Sequence, residues 1–221
     1  MSTDAHARPG CGPEQPRPTA DQALARLLEG HERYLRGMPR FNAMRREELA
    51  ELAKGQQPYA AILGCADSRV PPEVIFDAGP GELFVIRVAG NALSPEVAGS
   101  LQYAGVHLKT PLMVVLGHEG CGAVKAALAS RNEGIQHHSR IQILVDSILP
   151  AMEHVDHSLP PEAQLAQAVE ANVRETIRVI RESPEGRARS EEGWMKLVGA
   201  VYDLASGCVR LLDADEPRIP S

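Results

Sequence analysis

Three short stretches of this chain are almost apolar from end to end, and a helix-forming segment follows each within a few residues. They are Tyr59-Ala-Ala-Ile-Leu-Gly-Cys65, Glu82-Leu-Phe-Val-Ile-Arg-Val88 and Leu112-Met-Val-Val-Leu-Gly117. A strand with one wet face alternates polar and apolar residues, whereas a strand covered on both faces reads as a continuous apolar run. Between the runs, Pro71 to Phe76 reads as a helical turn and Pro95 to Leu108 as a helix, and Cys121 to Ala129 continues the third run as another helix. Strand and helix in alternation predict parallel strands joined by crossovers. The fold class that follows is α/β, a mostly parallel β-sheet with flanking helices. Near the C-terminus, Lys196-Leu-Val-Gly-Ala-Val-Tyr202 and Cys208-Val-Arg-Leu-Leu212 flank a turn at Ala205-Ser-Gly207. This hairpin signal predicts an antiparallel edge strand.

The ends of the chain differ. From Ser2 to Ala23 there is no Val, Ile, Leu, Phe, Tyr or Trp, and Pro9, Pro13, Pro16 and Pro18 interrupt any regular element. Such a segment cannot offset its ordering entropy, so residues 1–18 are expected as a disordered tail and 19–215 as a single domain. Thr19 with Gln22 forms a capping-box pattern, and Leu24, Leu27, Leu28 and Leu35 mark an amphipathic helix ending near Gly37 and Pro39. A second short helix is expected over Ala43 to Lys54. A helix from Arg140 should break near Pro150. Pro160 to Arg181 carries Leu165, Val169, Val173, Ile177 and Ile180 on one stripe, with Glu170, Arg174 and Arg178 on the solvated face.

Composition narrows the function. A formal charge of −6 with no long basic run gives no footprint for a phosphate backbone, so no nucleic acid partner is expected. No stretch approaches the ~20 apolar residues of a membrane span, and the start lacks a signal-peptide pattern, so no membrane partner and a cytoplasmic location are expected. Cysteines at 11, 65, 121 and 208 are too few and too dispersed for a secreted disulfide framework. In a reducing compartment they are structural thiols, nucleophiles or metal ligands.

Ligands in α/β sheets collect at the carboxyl ends of the strands. There the sequence places Gly64-Cys-Ala-Asp-Ser-Arg69 after the first run and Gly117-His-Glu-Gly-Cys-Gly122 after the third. Neighbouring parallel strands lie about 5 Å apart, so Cys65 can meet His118 and Cys121. Two sulfurs and one imidazole with no fourth protein ligand suit Zn²⁺ in an open, catalytic site. Arg69 can clamp Asp67 through paired N–H···O bonds, keeping its carboxylate ionised, oriented and off the metal. A Cys65–Cys121 redox pair is the main rival. His137, His138, His154 and His157 read as surface histidines, Cys11 as a free thiol and Cys208 as a small packed residue.

Cys65-Ala-Asp-Ser-Arg-Val-Pro-Pro-Glu73 and Gly117-His-Glu-Gly-Cys-Gly122 resemble the two signature segments of the β-class carbonic anhydrases. The likeness extends through Gly81-Glu-Leu-Phe-Val-Ile-Arg-Val-Ala-Gly-Asn91 and Leu101-Gln-Tyr-Ala-Gly105, and covers roughly residues 20 to 212. The resemblance implies reversible hydration of CO2 to bicarbonate and a proton, with one zinc per chain on Cys65, His118 and Cys121. It implies a catalytic dyad of Asp67 and Arg69, and a substrate pocket lined by Gln56, Phe84 and Tyr103, with Gln56 supplied across a dimer interface. It also implies a homodimer or tetramer in which the N-terminal helices pack on the partner. Hydrolysis of COS or CS2 on the same site, or a catalytically silent zinc module, are the alternatives; the presence of both Asp67 and Arg69 counts against the second. Many members have Ser at Glu119 and Arg-Asn-x-Ala-Asn at Arg87-Val-Ala-Gly-Asn91. A regulatory bicarbonate site using a Trp before the first ligand is expected to be absent, since that stretch is Ala60-Ala-Ile-Leu63 and the sole Trp is Trp194.

Overall fold

The computed structural model describes residues 16–40, 46–184, 186–188, 193 and 195–212. Most of the expected tail, the start of the expected second helix, Cys11, Trp194 and the last residues of the expected domain lie outside them.

The apolar runs become strands β1 (Ala60–Gly64), β2 (Leu83–Arg87) and β3 (Leu112–His118), joined by β4 (Lys196–Tyr202) and β5 (Val209–Leu212). They form one sheet in the order β2-β1-β3-β4-β5, with every pair parallel except β4 and β5. All residues of β1 and β3 are buried, which is why neither sequence alternates. β2 lies at an edge and its Leu83, Phe84, Val85 and Ile86 stay half-buried.

Helices complete the layers: α1 (Ala20–Leu35), α2 (Arg46–Leu52), α3 (Pro72–Ile75), α4 (Pro95–Val106), α5 (Gly122–Glu133), α6 (Arg140–Ile148) and α7 (Pro161–Glu182). A 3-10 turn over Leu149–His154 follows α6, where the ring of Pro150 cannot continue an α-helix. The second helix ends at Leu52, two residues before its expected end. α7 packs across β3 and β4 through Val169, Val173 and Ile180, while Arg178 on its outer face pairs with Glu175 and Glu182. The approach is close enough that a Cβ on Gly117 would stand 2.7 Å from a methyl of Val173. Only glycine fits there, and it is the residue just before His118.

α1 begins at the expected capping box: the Thr19 hydroxyl accepts from the Gln22 amide at 3.2 Å, and Gln22 Oε1 accepts from the Thr19 amide at 2.8 Å. In the chain itself the helix already buries Ala23, Leu27, Gly30 and His31, packing on α3, β1 and β3. Leu28 is half-buried and Leu35 exposed, so only part of the stripe expected to need a partner is left uncovered. His31 ties this corner together. Its Nδ1 donates to the Ile75 carbonyl at 3.1 Å and its Nε2 accepts from the Val209 amide at 3.0 Å. Arg17, inside the expected tail, donates to the Leu108 carbonyl.

Candidate metal centre

Cys65 is the first residue after β1 and His118 the last of the neighbouring β3, and Cys121 sits at the N-cap of α5 three residues further on. The parallel register pairs Gly64 with Leu116, two residues before His118, so Cys65 and the end of β3 fall at the same edge of the sheet. Sheet geometry alone therefore gathers Cys65, His118 and Cys121, whose ligand atoms all lie within 4.8 Å of one another. All three are buried. The two sulfurs are 4.0 Å apart and both thiols are free, about twice the ~2.05 Å of a disulfide bond.

Orientation of the imidazole is fixed by the backbone. The Glu119 carbonyl can only accept, so His118 Nδ1, 2.9 Å away, carries the proton and donates it. The lone pair is then on Nε2, which is buried and has no hydrogen-bond partner. Such an orphaned acceptor is costly. Facing two thiols, it is relieved by a soft or borderline cation, and the S, S, N donor set is the one that suits zinc. The residues present fit that metal.

The two sulfurs share a hydrogen bond. It holds the Cys65 thiol well below its ordinary range, against burial and with help from His118 and the amides of Asp67 and Gly90. Those amides donate to Cys65 Sγ at 3.4 and 3.3 Å. Cys121 is pushed up by the same sharing and by burial. A dication that binds both sulfurs must displace the protons they carry.

Asp67 stands beside the cluster, its Oδ2 3.9 Å from His118 Nε2. Arg69 holds it in a fork: Nε and the amide N–H donate to Oδ1 at 2.9 and 3.0 Å, and Nη2 donates to Oδ2 at 2.7 Å. These bonds hold the carboxyl well below the usual carboxylate range. With 19% of its side chain exposed, Asp67 stays ionised and keeps lone pairs for a further donor.

The sequence passed over Arg87 and Asn172. Arg87 donates through Nε to the Cys65 carbonyl at 3.0 Å and through Nη2 to the Asp67 carbonyl, so it straps the loop carrying both residues. Asn172 of α7 donates to the Gly90 carbonyl at 2.8 Å. Its signal was available: a polar residue on the apolar stripe, three positions after Val169. Glu119, a departure from the usual pattern, contributes only backbone, its amide donating to the Tyr202 carbonyl at 2.9 Å and its side chain exposed.

The expected pocket residues are not gathered at this centre within one chain. Phe84 pairs with Ala61, four residues before Cys65, which at about 3.3 Å per residue puts it roughly 13 Å back along the sheet. Its ring lies 6.1 Å from that of Tyr103, which is itself 46% exposed. Gln56 is exposed ahead of β1.

A mostly parallel sheet carries at its carboxyl edge a Cys, His, Cys group able to hold a metal beside a clamped aspartate, an arrangement of an α/β enzyme. The sequence pattern of the carbonic anhydrase family matches residues 60–209, and the chain belongs to that family. It is 38% identical over 188 residues to carbonic anhydrase 2 of Mycobacterium tuberculosis, covering 85% of this chain and 90% of the relative. Among solved structures it resembles the β-carbonic anhydrase CafA of Aspergillus fumigatus, with a TM-score of 0.69 at 28% identity over 89% of this chain and 92% of the other. It also resembles a tetrameric β-carbonic anhydrase of Sordaria macrospora, with a TM-score of 0.68 at 25% identity over 86% and 94%. Within the family, its structural likeness is to the β-class.

Proposed function

We propose that the chain interconverts CO2 and bicarbonate, CO2 + H2O ⇌ HCO3⁻ + H⁺, with one Zn²⁺ per chain held by Cys65, His118 and Cys121. The observation that carries this reading is the buried, unpartnered Nε2 of His118 facing two thiols beside a carboxylate that Arg69 holds away from them. Bound zinc supplies a Lewis acid that makes water nucleophilic near neutral pH. Asp67 accepts a hydrogen bond from the attacking water and so turns its lone pair toward CO2. Arg69 keeps both oxygens of Asp67 engaged, which would hold the carboxylate off a bound metal and sets the direction of its remaining lone pairs. The Glu119 carbonyl fixes the His118 tautomer, and Arg87 holds the loop from Cys65 to Asp67 in place. The released proton passes to solvent or buffer.

Gln56, Phe84 and Tyr103 line the CO2 pocket of a neighbouring subunit in this reading, because a partner can deliver what one chain keeps at the far end of its sheet. The half-buried edge strand β2 and the exposed ring of Tyr103 support assembly as a homodimer or a tetramer, as does the tetrameric relative from Sordaria macrospora. No helix among the described residues is long and apolar enough to cross a membrane, and free thiols at the centre suit the cytoplasm. The test is stopped-flow CO2 hydration on zinc-loaded protein beside Cys65→Ser. Wild type should hydrate CO2, and the variant should lose both metal and turnover. Full turnover in Cys65→Ser stripped of zinc would end this reading.

A further inference from the structure

We propose that Asn172 is a positioning residue for the metal centre, holding Gly90 so that the Gly90 amide donates to the Cys65 sulfur. The inference rests on the metal reading above. Gly90 has φ +65°, a left-handed conformation open to glycine, inside the 3-10 turn Ala89–Asn91 that the Asn91 amide closes onto the Val88 carbonyl at 3.0 Å. Two further things hold it. One is the wall around it: a Cβ at Gly90 would stand 2.7 Å from Ile148 Cδ1 and 3.1 Å from Ala123 Cβ, so α5 and the end of α6 close around this backbone. The other is Asn172, 82 residues away and 3% exposed, whose Nδ2 donates to the Gly90 carbonyl at 2.8 Å. On the other side of the same residue, the Gly90 amide donates to Cys65 Sγ at 3.3 Å.

An N–H bond to a thiolate withdraws electron density from the sulfur. A metal held by two thiolates has its 2+ charge cancelled, so each such bond leaves more Lewis acidity for the open position. The hydrogen bond of Asn172 goes to the Gly90 carbonyl rather than to a ligand or to Asp67, so it acts through Gly90. Without it the Gly90 carbonyl is a buried acceptor with no partner, and the glycine turns to find one, carrying its amide away from the sulfur.

The test uses the whole protein loaded with Co²⁺, whose thiolate-to-cobalt charge-transfer absorption reports sulfur donor strength, and the zinc form for kinetics. Asn172→Leu removes the donor at similar volume, and Asn172→Ala serves if the leucine variant does not fold. The proposal expects one metal per chain in the folded variant and a charge-transfer band moved to longer wavelength. It also expects kcat lower by about tenfold with the KM for CO2 unchanged, the size typical of a group behind a ligand. A folded, metal-loaded variant whose band and kcat match wild type overturns it, even if the melting temperature has dropped. Absence of a thiolate-to-cobalt band in wild type would instead remove the metal reading and this inference with it.

Discussion

Two aspartates in this protein are gripped by arginine, and they are built for opposite ends. Asp77 is 4% exposed and sits at φ 43°, where its carboxylate accepts from Arg33 Nε and from the Arg40 amide at 2.9 and 3.0 Å. Its partners come from 44 and 37 residues away, so it staples the α1 region to the turn after α3. Asp67 is gripped by a residue two positions on, keeps 19% of its side chain in solvent and faces an unpartnered imidazole nitrogen 3.9 Å away. A buried carboxylate whose donors come from distant parts of the sequence holds a fold together. One with a local clamp and an open side can still accept from a further donor. The general lesson is that the presence of an ion pair says little; what matters is where the rest of the carboxylate points.

Arg69→Ala should break the comparison most strongly. Released from its fork, Asp67 is close enough to become a fourth ligand of the metal, which closes the position water needs. The variant should retain zinc and lose CO2 hydration by on the order of a hundredfold. X-ray absorption should show an added oxygen ligand. Stability should barely change because the Arg69 side chain is 58% exposed and its ion pair is screened by solvent. Asp67→Asn should also lose turnover but should not close the site, since a neutral amide is a poorer zinc ligand. Near-normal kcat in Arg69→Ala with water still on the metal would reduce the clamp to an ordinary surface pair.

Asp77→Ala should do the reverse. Loss of charged hydrogen bonds at a buried site costs about 2–3 kcal/mol, readable as a lower denaturant midpoint at unchanged slope. Turnover per folded chain should stay at the wild-type value. A fall in kcat at full folding would mean that the α3 turn controls the loop at Asp67, and the contrast between the two aspartates would fail.

Deleting residues 1–15 should have the smallest effect, because the segment has no large side chain to bury. Melting temperature and turnover should both match the full chain. Extending the deletion through Pro18 removes the Arg17 bond to the Leu108 carbonyl. That loss is worth about 1 kcal/mol at most on an exposed surface, so a large drop would assign the tail a structural role.

The metal centre was legible because its parts are short-range in sequence. Cys65, Asp67 and Arg69 lie in one segment and His118 and Cys121 in another, and the rule that parallel strands end together brings the two segments into one place. Strand identities followed from the unbroken apolar runs, and the edge hairpin from its turn. Asn172 was visible as a polar residue on an apolar stripe, but its role was hidden because its partner is the backbone of a glycine 82 residues away. Arg87 was hidden for the same reason, since it binds two carbonyls rather than a side chain. The stripe of α1 was readable as apolar, yet spacing does not say which surface covers it, and much of it turned out to be buried within its own chain. Phe84 and Tyr103 show the same limit from the other side: their positions on β2 and α4 are clear, and the fold of one chain does not bring them to the cluster at the end of β1 and β3.

The most direct test is a zinc titration of metal-free protein followed by stopped-flow CO2 hydration at each point. Hydration should be absent in the metal-free protein, rise in proportion to bound zinc and level off at one zinc per chain. Appreciable hydration before any zinc is added, or none at one zinc bound per chain, would contradict the assignment of the reaction to Cys65, His118, Cys121 and Asp67.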